Sequence, residues 1–120
     1  MVIEVKGNRI EAPIEIIRTT LDKIEDIPDV EGIYLIAYMG RILYVGKSFS
    51  VPTRIVGHYL NALDEKIGRW LVLSEFDCEN TRIDILVAPL CDDVKSWLRI
   101  AEGRLIRKFD PIFNTMLCIR

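Results

Sequence analysis

The sequence has no apolar run long enough to cross a membrane. Its longest apolar stretch, residues 83–90, contains Asp84 and is much shorter than the roughly 20 residues of a membrane-spanning helix. Residues 1–10 alternate charged and apolar side chains, which is the pattern of neither a signal peptide nor a transit peptide. A soluble protein with a cytoplasmic location and no membrane partner is therefore expected.

Cysteine is scarce as well. Cys78, Cys91 and Cys118 are an odd number at wide spacing, which gives neither a disulfide framework nor a CxxC metal or redox site. Buried free thiols are the expectation. The chain has 120 residues, 50% of them hydrophobic, and contains no internal repeat or low-complexity segment. It is long enough to form one compact domain with its own core.

A surplus of positive charge is also missing, since the formal net charge is −2 at pH 7. This counts against nucleic-acid binding, because a duplex is held largely by Lys and Arg that neutralise its phosphates. The acidity is concentrated near the N-terminus, however. Residues 1–31 hold eight acids and four bases, whereas residues 32–120 hold ten acids and twelve bases. The larger part of the chain therefore remains compatible with a nucleic-acid partner.

Two elements are predicted before residue 31. Strands at Val2–Val5 and residues 9–11 flank Gly7-Asn8, a dipeptide that suits a tight hairpin turn. The spacing of apolar residues then predicts a helix over residues 13–24. The residues that set this spacing are Ile14, Ile17, Leu21 and Ile24.

A second hairpin is predicted from strands at Gly32–Tyr38 and residues 41–46. A two-residue turn at Met39-Gly40 would place Tyr34 and Tyr44 on opposite faces. A three-residue loop, which we favour, pairs Tyr34 directly with Tyr44 and places both phenols on one face. The other face is then apolar and must be covered by a helix. Its residues are Ile33, Leu35, Ala37, Leu43 and Val45.

Further elements follow this hairpin. A helix with Ser48 or Ser50 as N-cap is predicted to run to about residue 63, with Ile55, Tyr59 and Leu63 on its apolar side. The other predicted elements are a helix over residues 64–73, a strand over residues 82–88 and a long helix, capped by Asp92 or Asp93, that ends at about Phe109. The apolar stripe of the long helix comprises Val94, Trp97, Leu98, Ala101, Leu105 and Phe109, and Glu102 lies at its edge.

One ordered set of residues resembles the motif of the GIY-YIG nuclease family. It comprises Gly32-Ile33-Tyr34, Tyr44-Val45-Gly46-Lys47, Arg54 with His58, Glu102 and Asn114. The resemblance covers about residues 31–114, and Val45 stands where the family name has Ile. It implies an α+β sandwich, in which a three-stranded antiparallel sheet is flanked by helices. Residues 31–120 would form the nuclease domain, with residues 1–30 as an N-terminal extension packed on it.

The resemblance also implies an activity: hydrolysis of DNA phosphodiester bonds with one divalent metal ion, Mg²⁺ or Mn²⁺, leaving a 5′-phosphate and a 3′-hydroxyl. Glu102 would be the metal ligand, because a carboxylate suits a hard cation that keeps several waters. Position alone favours a different interpretation, in which Glu102 is a rim residue paired with Arg99 or Arg104, and it is the match to the family motif that makes it the metal ligand.

Arg54 and His58 are four residues apart on one helix, so they face the same way. Arg54 can hold a phosphate with two hydrogen bonds, and the imidazole of His58, with an ordinary pKa near 6.5, can accept a proton at neutral pH. The alternative for His58, the one histidine of the chain, is a packed or surface side chain. We expect Tyr34 to act as the base or to orient the water, with His58 relaying its proton, and Tyr44 to contact phosphate or water.

Three further residues are assigned to substrate binding. Gly46 lets backbone approach the substrate closely, and Lys47 places a cation near the scissile phosphate. Asn114 is expected to brace the site through side-chain hydrogen bonds.

The sequence is also compatible with other functions. The same fold could serve as an inactive module that binds nucleic acid or a partner protein, and the acidic composition also fits an α+β domain without a nucleic-acid role. A nuclease that makes double-strand breaks with one such site needs two copies, so a homodimer on DNA is one hypothesis. A fused or partner protein that supplies specificity is another.

Overall fold

The computed structural model describes residues 2–5, 8–11 and 15–114. In this part of the chain, a four-stranded antiparallel sheet has helices on both faces, so the predicted α+β class is confirmed. The strands are β1 (Val2–Val5), β2 (Asn8–Glu11), β3 (Ile16–Thr20), β4 (Gly32–Tyr38), β5 (Arg41–Ser48) and β6 (Thr81–Val87). The helices are α1 (Val51–Leu60), α2 (Lys66–Leu73) and α3 (Val94–Phe109). The order in the large sheet is β3-β6-β4-β5.

The predicted N-terminal hairpin is confirmed. β1 and β2 pair antiparallel, with Val5 opposite Asn8, and form a separate two-stranded sheet. Gly7 of the predicted turn lies outside the described residues, and the prediction that Asn8 belongs to the turn is wrong, because Asn8 is the first residue of β2. The backbone of β1 lies against α3.

The prediction of a helix over residues 13–24 is wrong. Ile16–Thr20 is strand β3, which pairs antiparallel with β6, and Leu21–Asp26 is a 3₁₀ segment. Ile14 lies outside the described residues. Four of the five residues in β3 are β-branched, and the edge of β6 supplies partners for their backbone groups, so pairing overrides the helical spacing. The sheet consequently has four strands instead of the predicted three.

The turn between β4 and β5 also differs from the favoured one. It has two residues, Met39 and Gly40, with φ angles of 51° and 78°. Positive φ at both central residues is the conformation of the tight hairpin turns that match the twist of paired strands. The predicted three-residue loop is therefore wrong, and Tyr34 does not pair directly with Tyr44.

A β-bulge nevertheless places the two phenols on one face. The register shifts between Ile36 and Ala37, so that Leu43 of β5 has no opposite residue. Beyond the bulge, Ile36 pairs with Tyr44 and Tyr34 pairs with Gly46. Side chains alternate along a strand, so a regular two-residue hairpin would place the two phenols on opposite faces of the sheet. The extra residue at the bulge reverses this alternation in β5, and both phenols therefore lie on the same face.

Each face of the sheet carries its own core. Tyr34, Ile36, Ile83 and Ile85 pack with residues of α1 and α2, among them Ile55 and Leu71. On the other face, Ile33, Leu35 and Val45 pack against Trp97, Leu98 and Ala101 of α3, so the predicted helical cover is confirmed. Two residues predicted on apolar stripes are exposed instead, Leu63 at 90% and Phe109 at 39%, because each lies at or beyond the end of its helix.

The ends of α3 agree with the prediction. The Asp93 carboxylate accepts a hydrogen bond from the backbone N–H of Ser96 at 3.3 Å, and Asp110, with φ of 44°, ends the helix before Pro111. Cys78 and Cys91 are free and partly buried, while Cys118 lies outside the described residues. Within the described chain, no helix has the length and apolar character of a membrane span.

Candidate active site

The predicted site residues lie on both sides of β5, which is an edge strand of the sheet. Tyr34 and Tyr44 project to the face that α1 covers, where they meet Arg54 and His58. Lys47 and Glu102 meet on the side of α3. The site therefore consists of two groups that are separated by one strand.

A hydrogen-bonded chain connects the first group. The hydroxyl of Tyr34 is 2.6 Å from Nε2 of His58, and Nδ1 of His58 is 2.5 Å from Oε2 of Glu65. The other carboxylate oxygen of Glu65 accepts a hydrogen bond from Arg54 at 3.3 Å. A neutral imidazole satisfies both contacts, with Nδ1–H donating to the carboxylate and Nε2 accepting from the phenol. Tyr34 and His58 are both completely buried.

Burial controls the protonation of this group. It raises the pKa of Tyr34 and of Tyr44, and the Arg54 guanidinium opposes that increase. Burial lowers the pKa of His58, while its hydrogen bond to Glu65 acts in the opposite direction. A low-polarity environment disfavours the charged form of each residue. At neutral pH the arrangement is therefore a protonated phenol beside a neutral imidazole.

Tyr44 completes an aromatic cluster around the imidazole. Its ring centre is 5.1 Å from that of His58, edge to face, and 6.0 Å from that of Tyr34. Edge-to-face and tilted contacts of this length are favourable for aromatic pairs. The three rings therefore pack against one another.

Gly46 makes room for Tyr34. A Cβ atom at this position would lie 2.4 Å from both Cζ and the hydroxyl oxygen of Tyr34. The sequence interpretation assigned the close approach at Gly46 to the substrate, whereas the approach in the structure is that of the Tyr34 ring. Binding of substrate at Gly46 stays a prediction.

Glu102 lies at the margin of the buried side of α3, as predicted. Its side chain is 23% exposed, and its Oε1 is 3.8 Å from Nζ of Lys47. Burial raises the pKa of Glu102, and Lys47 opposes that increase. The negative charge of Glu102 also raises the pKa of Tyr34 and Tyr44, so its electrostatic effect reaches the phenols on the other side of β5.

In the described part of the chain, a metal ion would have few protein ligands. Among the described residues, no cluster of three or more His, Cys, Asp and Glu side chains could hold a metal ion. Glu102 is the carboxylate that the family resemblance assigns to the metal ion. This donor set suits Mg²⁺, which commonly keeps several waters and binds through one or two carboxylates.

Asn114 is buried against β5. Its Oδ1 accepts a hydrogen bond from the backbone N–H of Val45 at 2.8 Å, and its amide donates to the carbonyl of Val45 at 2.9 Å. The backbone N–H of Phe113 donates to the carbonyl of Leu43 at 3.0 Å. These bonds satisfy part of the open edge of β5 and hold the strand that carries Tyr44 and Lys47.

Comparison with known proteins points to one group of relatives. No protein-family model matches the chain. UvrABC system protein C from Fusobacterium nucleatum subsp. nucleatum is 28% identical over 96 residues, which cover 77% of this chain and 14% of that protein. The corresponding protein from Rickettsia bellii is 27% identical over 121 aligned positions, covering 98% of this chain and 16% of that protein. The chain thus spans about one-seventh of the length of these relatives.

Solved structures agree with this result. A crystal structure of the GIY-YIG N-terminal endonuclease domain of UvrC from Thermotoga maritima, bound to magnesium as its catalytic divalent cation, matches with a TM-score of 0.50. It is 22% identical and covers 77% of this chain and 91% of that domain. A point mutant of the same domain matches with a TM-score of 0.53 at 25% identity, covering 77% and 90%. The chain has a GIY-YIG fold.

The predicted resemblance to GIY-YIG nucleases is therefore confirmed. The GIY-YIG pattern did not predict β3, which adds a fourth strand beside β6. This strand belongs to the segment that we interpreted as an extension.

Glu65 is a residue of this candidate site that sequence reasoning missed. It follows His58 by seven positions, on the far side of the turn between α1 and α2, where no helical spacing relates the two. Gly68 permits the contact, because a Cβ atom there would lie 2.1 Å from the carbonyl oxygen of His58. The close approach of α2 to α1 places Glu65 beside the imidazole. In the sequence, Gly68 near the start of α2 was the one feature that could have indicated this close helix packing.

Proposed function

We propose that the chain is a DNA endonuclease domain that hydrolyses phosphodiester bonds with a divalent metal ion, Mg²⁺ or Mn²⁺, and leaves a 5′-phosphate and a 3′-hydroxyl. The observation that carries the proposal is the buried 2.6 Å hydrogen bond between Tyr34 and His58, beside Arg54. The fold that contains this hydrogen bond is like that of the UvrC endonuclease domain from Thermotoga maritima, which has been crystallised with its catalytic divalent cation.

Proton transfer would follow the hydrogen-bonded chain. Tyr34 donates to Nε2 of His58, so it can pass its proton to the neutral imidazole while its oxygen takes a proton from the attacking water. The carboxylate of Glu65 at Nδ1 stabilises the imidazolium that forms. Because the phenol loses one proton while it gains another, a charged phenolate does not accumulate. The free-energy cost of ionising a buried phenol is therefore avoided.

Two cations would bind the phosphate. The side chain of Arg54 is partly exposed and keeps donors beyond the one that Glu65 uses. Lys47, on the other side of β5, is 41% exposed in its side chain and lies near Glu102. Glu102 would hold the metal ion, which when bound polarises a phosphate oxygen and stabilises the leaving oxygen. Tyr44 would contact phosphate or water, and Asn114 would keep β5 in position.

Plasmid nicking tests this function. Supercoiled plasmid is incubated with the chain and Mg²⁺ or Mn²⁺, alongside Glu102→Gln and Arg54→Ala. The exposed residues Glu79 and Arg69 provide matched controls, Glu79→Gln and Arg69→Ala. We expect cutting by the unsubstituted chain and both controls, and a loss of about 100-fold or more in each site variant.

Other outcomes would assign a different function. If the unsubstituted chain binds the plasmid without nicking it, the protein is an inactive module that binds nucleic acid. If it neither binds nor cuts, the partner is not DNA.

The relatives support a proposal for the biological setting. We propose that the chain acts in DNA repair, because the proteins it resembles are components of the UvrABC system. A homodimer on DNA remains a hypothesis, and sedimentation of the chain with duplex DNA tests it through the mass of the complex.

A further inference from the structure

A cavity of about 540 Å³ opens next to Lys47, on the α3 side of β5. Lys47, Lys95 and Arg99 line it together with Phe49, and its lining contains no acidic side chain. Three other cavities in the described part of the chain each include at least one acid, among them Asp77, Glu31 and Glu25. The chain has a formal net charge of −2, so three cations around one cavity are a local concentration of positive charge.

The cavity has an aromatic wall beside its cations. Phe49 follows β5 and is 65% exposed, so its ring is accessible from solvent. Nζ of Lys95 lies 5.9 Å from the centre of its ring. Lys95 and Arg99 are one helical turn apart at the start of α3, so they face the same way. An exposed ring and adjacent cations are therefore presented together.

This combination matches the chemistry of a nucleic-acid strand. Bases stack on aromatic rings whatever their sequence, and Lys and Arg neutralise the phosphates. We infer that the cavity binds the strand flanking the cut, with the base of an unpaired nucleotide on Phe49 and phosphates on Lys95 and Arg99. This inference rests on the proposed nuclease function. The ion pair between Lys47 and Glu102 places the cavity next to the proposed metal ligand, so a strand leaving the reaction centre enters it.

Binding measurements test the inference separately from cleavage. Fluorescence anisotropy is recorded with a labelled single strand and with the matching duplex, in the Glu102→Gln background with a chelator present. The variants are Phe49→Ala and the double substitution Lys95→Ala/Arg99→Ala. A second double substitution, Arg18→Ala/Lys23→Ala, removes the same charge from exposed positions on β3 and the segment after it. Thermal melts check that each variant is folded.

The double substitution Lys95→Ala/Arg99→Ala, the cavity pair, should raise Kd about tenfold or more. The double substitution Arg18→Ala/Lys23→Ala, the control pair, should raise Kd much less. The slope of log Kd against log salt should fall by about 1.4 on the single strand, because two phosphate contacts are lost. Phe49→Ala should raise Kd about fivefold or more for the single strand, with a smaller effect on the duplex and no change of slope.

The inference is overturned if the cavity pair behaves like the control pair, if Phe49→Ala binds normally, or if the background protein binds neither DNA. Failure of the nuclease proposal looks different. In that case the unsubstituted chain does not cut plasmid with Mg²⁺ or Mn²⁺, but the cavity variants still lose affinity.

Discussion

The hydroxyl of Tyr34 and Nε2 of His58 are 2.6 Å apart and completely buried, although 24 positions separate the residues in the sequence. The hydrogen bond joins β4 to α1. The bond satisfies the hydroxyl of Tyr34 and Nε2 of His58 together. Leaving either buried group without a partner would lower the free energy of unfolding by about 1–3 kcal/mol. The same bond is the proposed route for the proton of the attacking water.

Tyr34→Phe should abolish most of the cleavage. The ring remains, so packing on Gly46 is preserved, but the proton route is lost and the nicking rate should fall about 100-fold or more. Plasmid nicking with Mg²⁺ measures this loss. Tyr38→Phe is the control, because the Tyr38 hydroxyl bonds Asp77 outside the proposed site. Equal rates for the two variants would remove Tyr34 from the mechanism.

The stability of the chain should fall as the pH drops below about 6.5, the ordinary pKa of an imidazole. Burial holds the pKa of His58 below that value in the folded state. Between the two pKa values the unfolded chain binds a proton that the folded chain does not, so acid favours unfolding, whereas above this range His58 adds no pH dependence. Urea denaturation across the pH series measures the free energy of unfolding.

The matched comparison for this pH effect is His58→Gln. Losing the imidazole should flatten the dependence on pH between about 7 and 5, whatever the variant's overall stability. Glu65, whose pKa is lowered from 4.5, contributes only at more acidic pH. Parallel curves for the two proteins in this range would show that His58 is not the titrating group.

Glu65→Gln should change the pH profile of cleavage as well as its rate. The hydrogen bond that Nδ1–H of His58 donates to Glu65 raises the pKa of His58, so losing the carboxylate lets burial lower that pKa further. The acidic limb of the rate profile should therefore move to lower pH, with a rate reduced about tenfold. Asp64→Asn alters an exposed neighbouring acid and should leave the profile in place. A rate loss without movement of the limb would indicate a structural role alone.

Gly46→Ala should destabilise the fold and disturb the site together. The new methyl group would lie 2.4 Å from the Tyr34 ring, and overpacking of this kind costs about 1–3 kcal/mol. Gly103→Ala is the comparison, since the nearest atom to its Cβ is 3.9 Å away and alanine favours a helix. The variants are compared by chemical denaturation and by nicking. If both have equal stability, the close contact with Tyr34 is not a constraint on position 46.

The local sequence pattern was sufficient to predict an element wherever the structure of that element depends on residues close to it in the chain. The apolar spacing of α3, its cap at Asp93 and its end before Pro111 all depend on neighbours within a few residues, and each was predicted. β4 and β6 were predicted in the same way from their runs of β-branched and aromatic residues. The motif order from Gly32 to Asn114 was sufficient to predict the α+β class and the resemblance to GIY-YIG nucleases, although it did not predict strand β3.

Interactions between distant segments decided the rest. β3 is a strand because the edge of β6 pairs with it, and Tyr34 faces the same way as Tyr44 because of a bulge that no turn rule predicts. Glu65 reaches His58 only through the close packing of α2 on α1. Periodicity reports which side of an element is buried, but register and helix approach depend on hydrogen bonds and contacts that exist only after the segments have met.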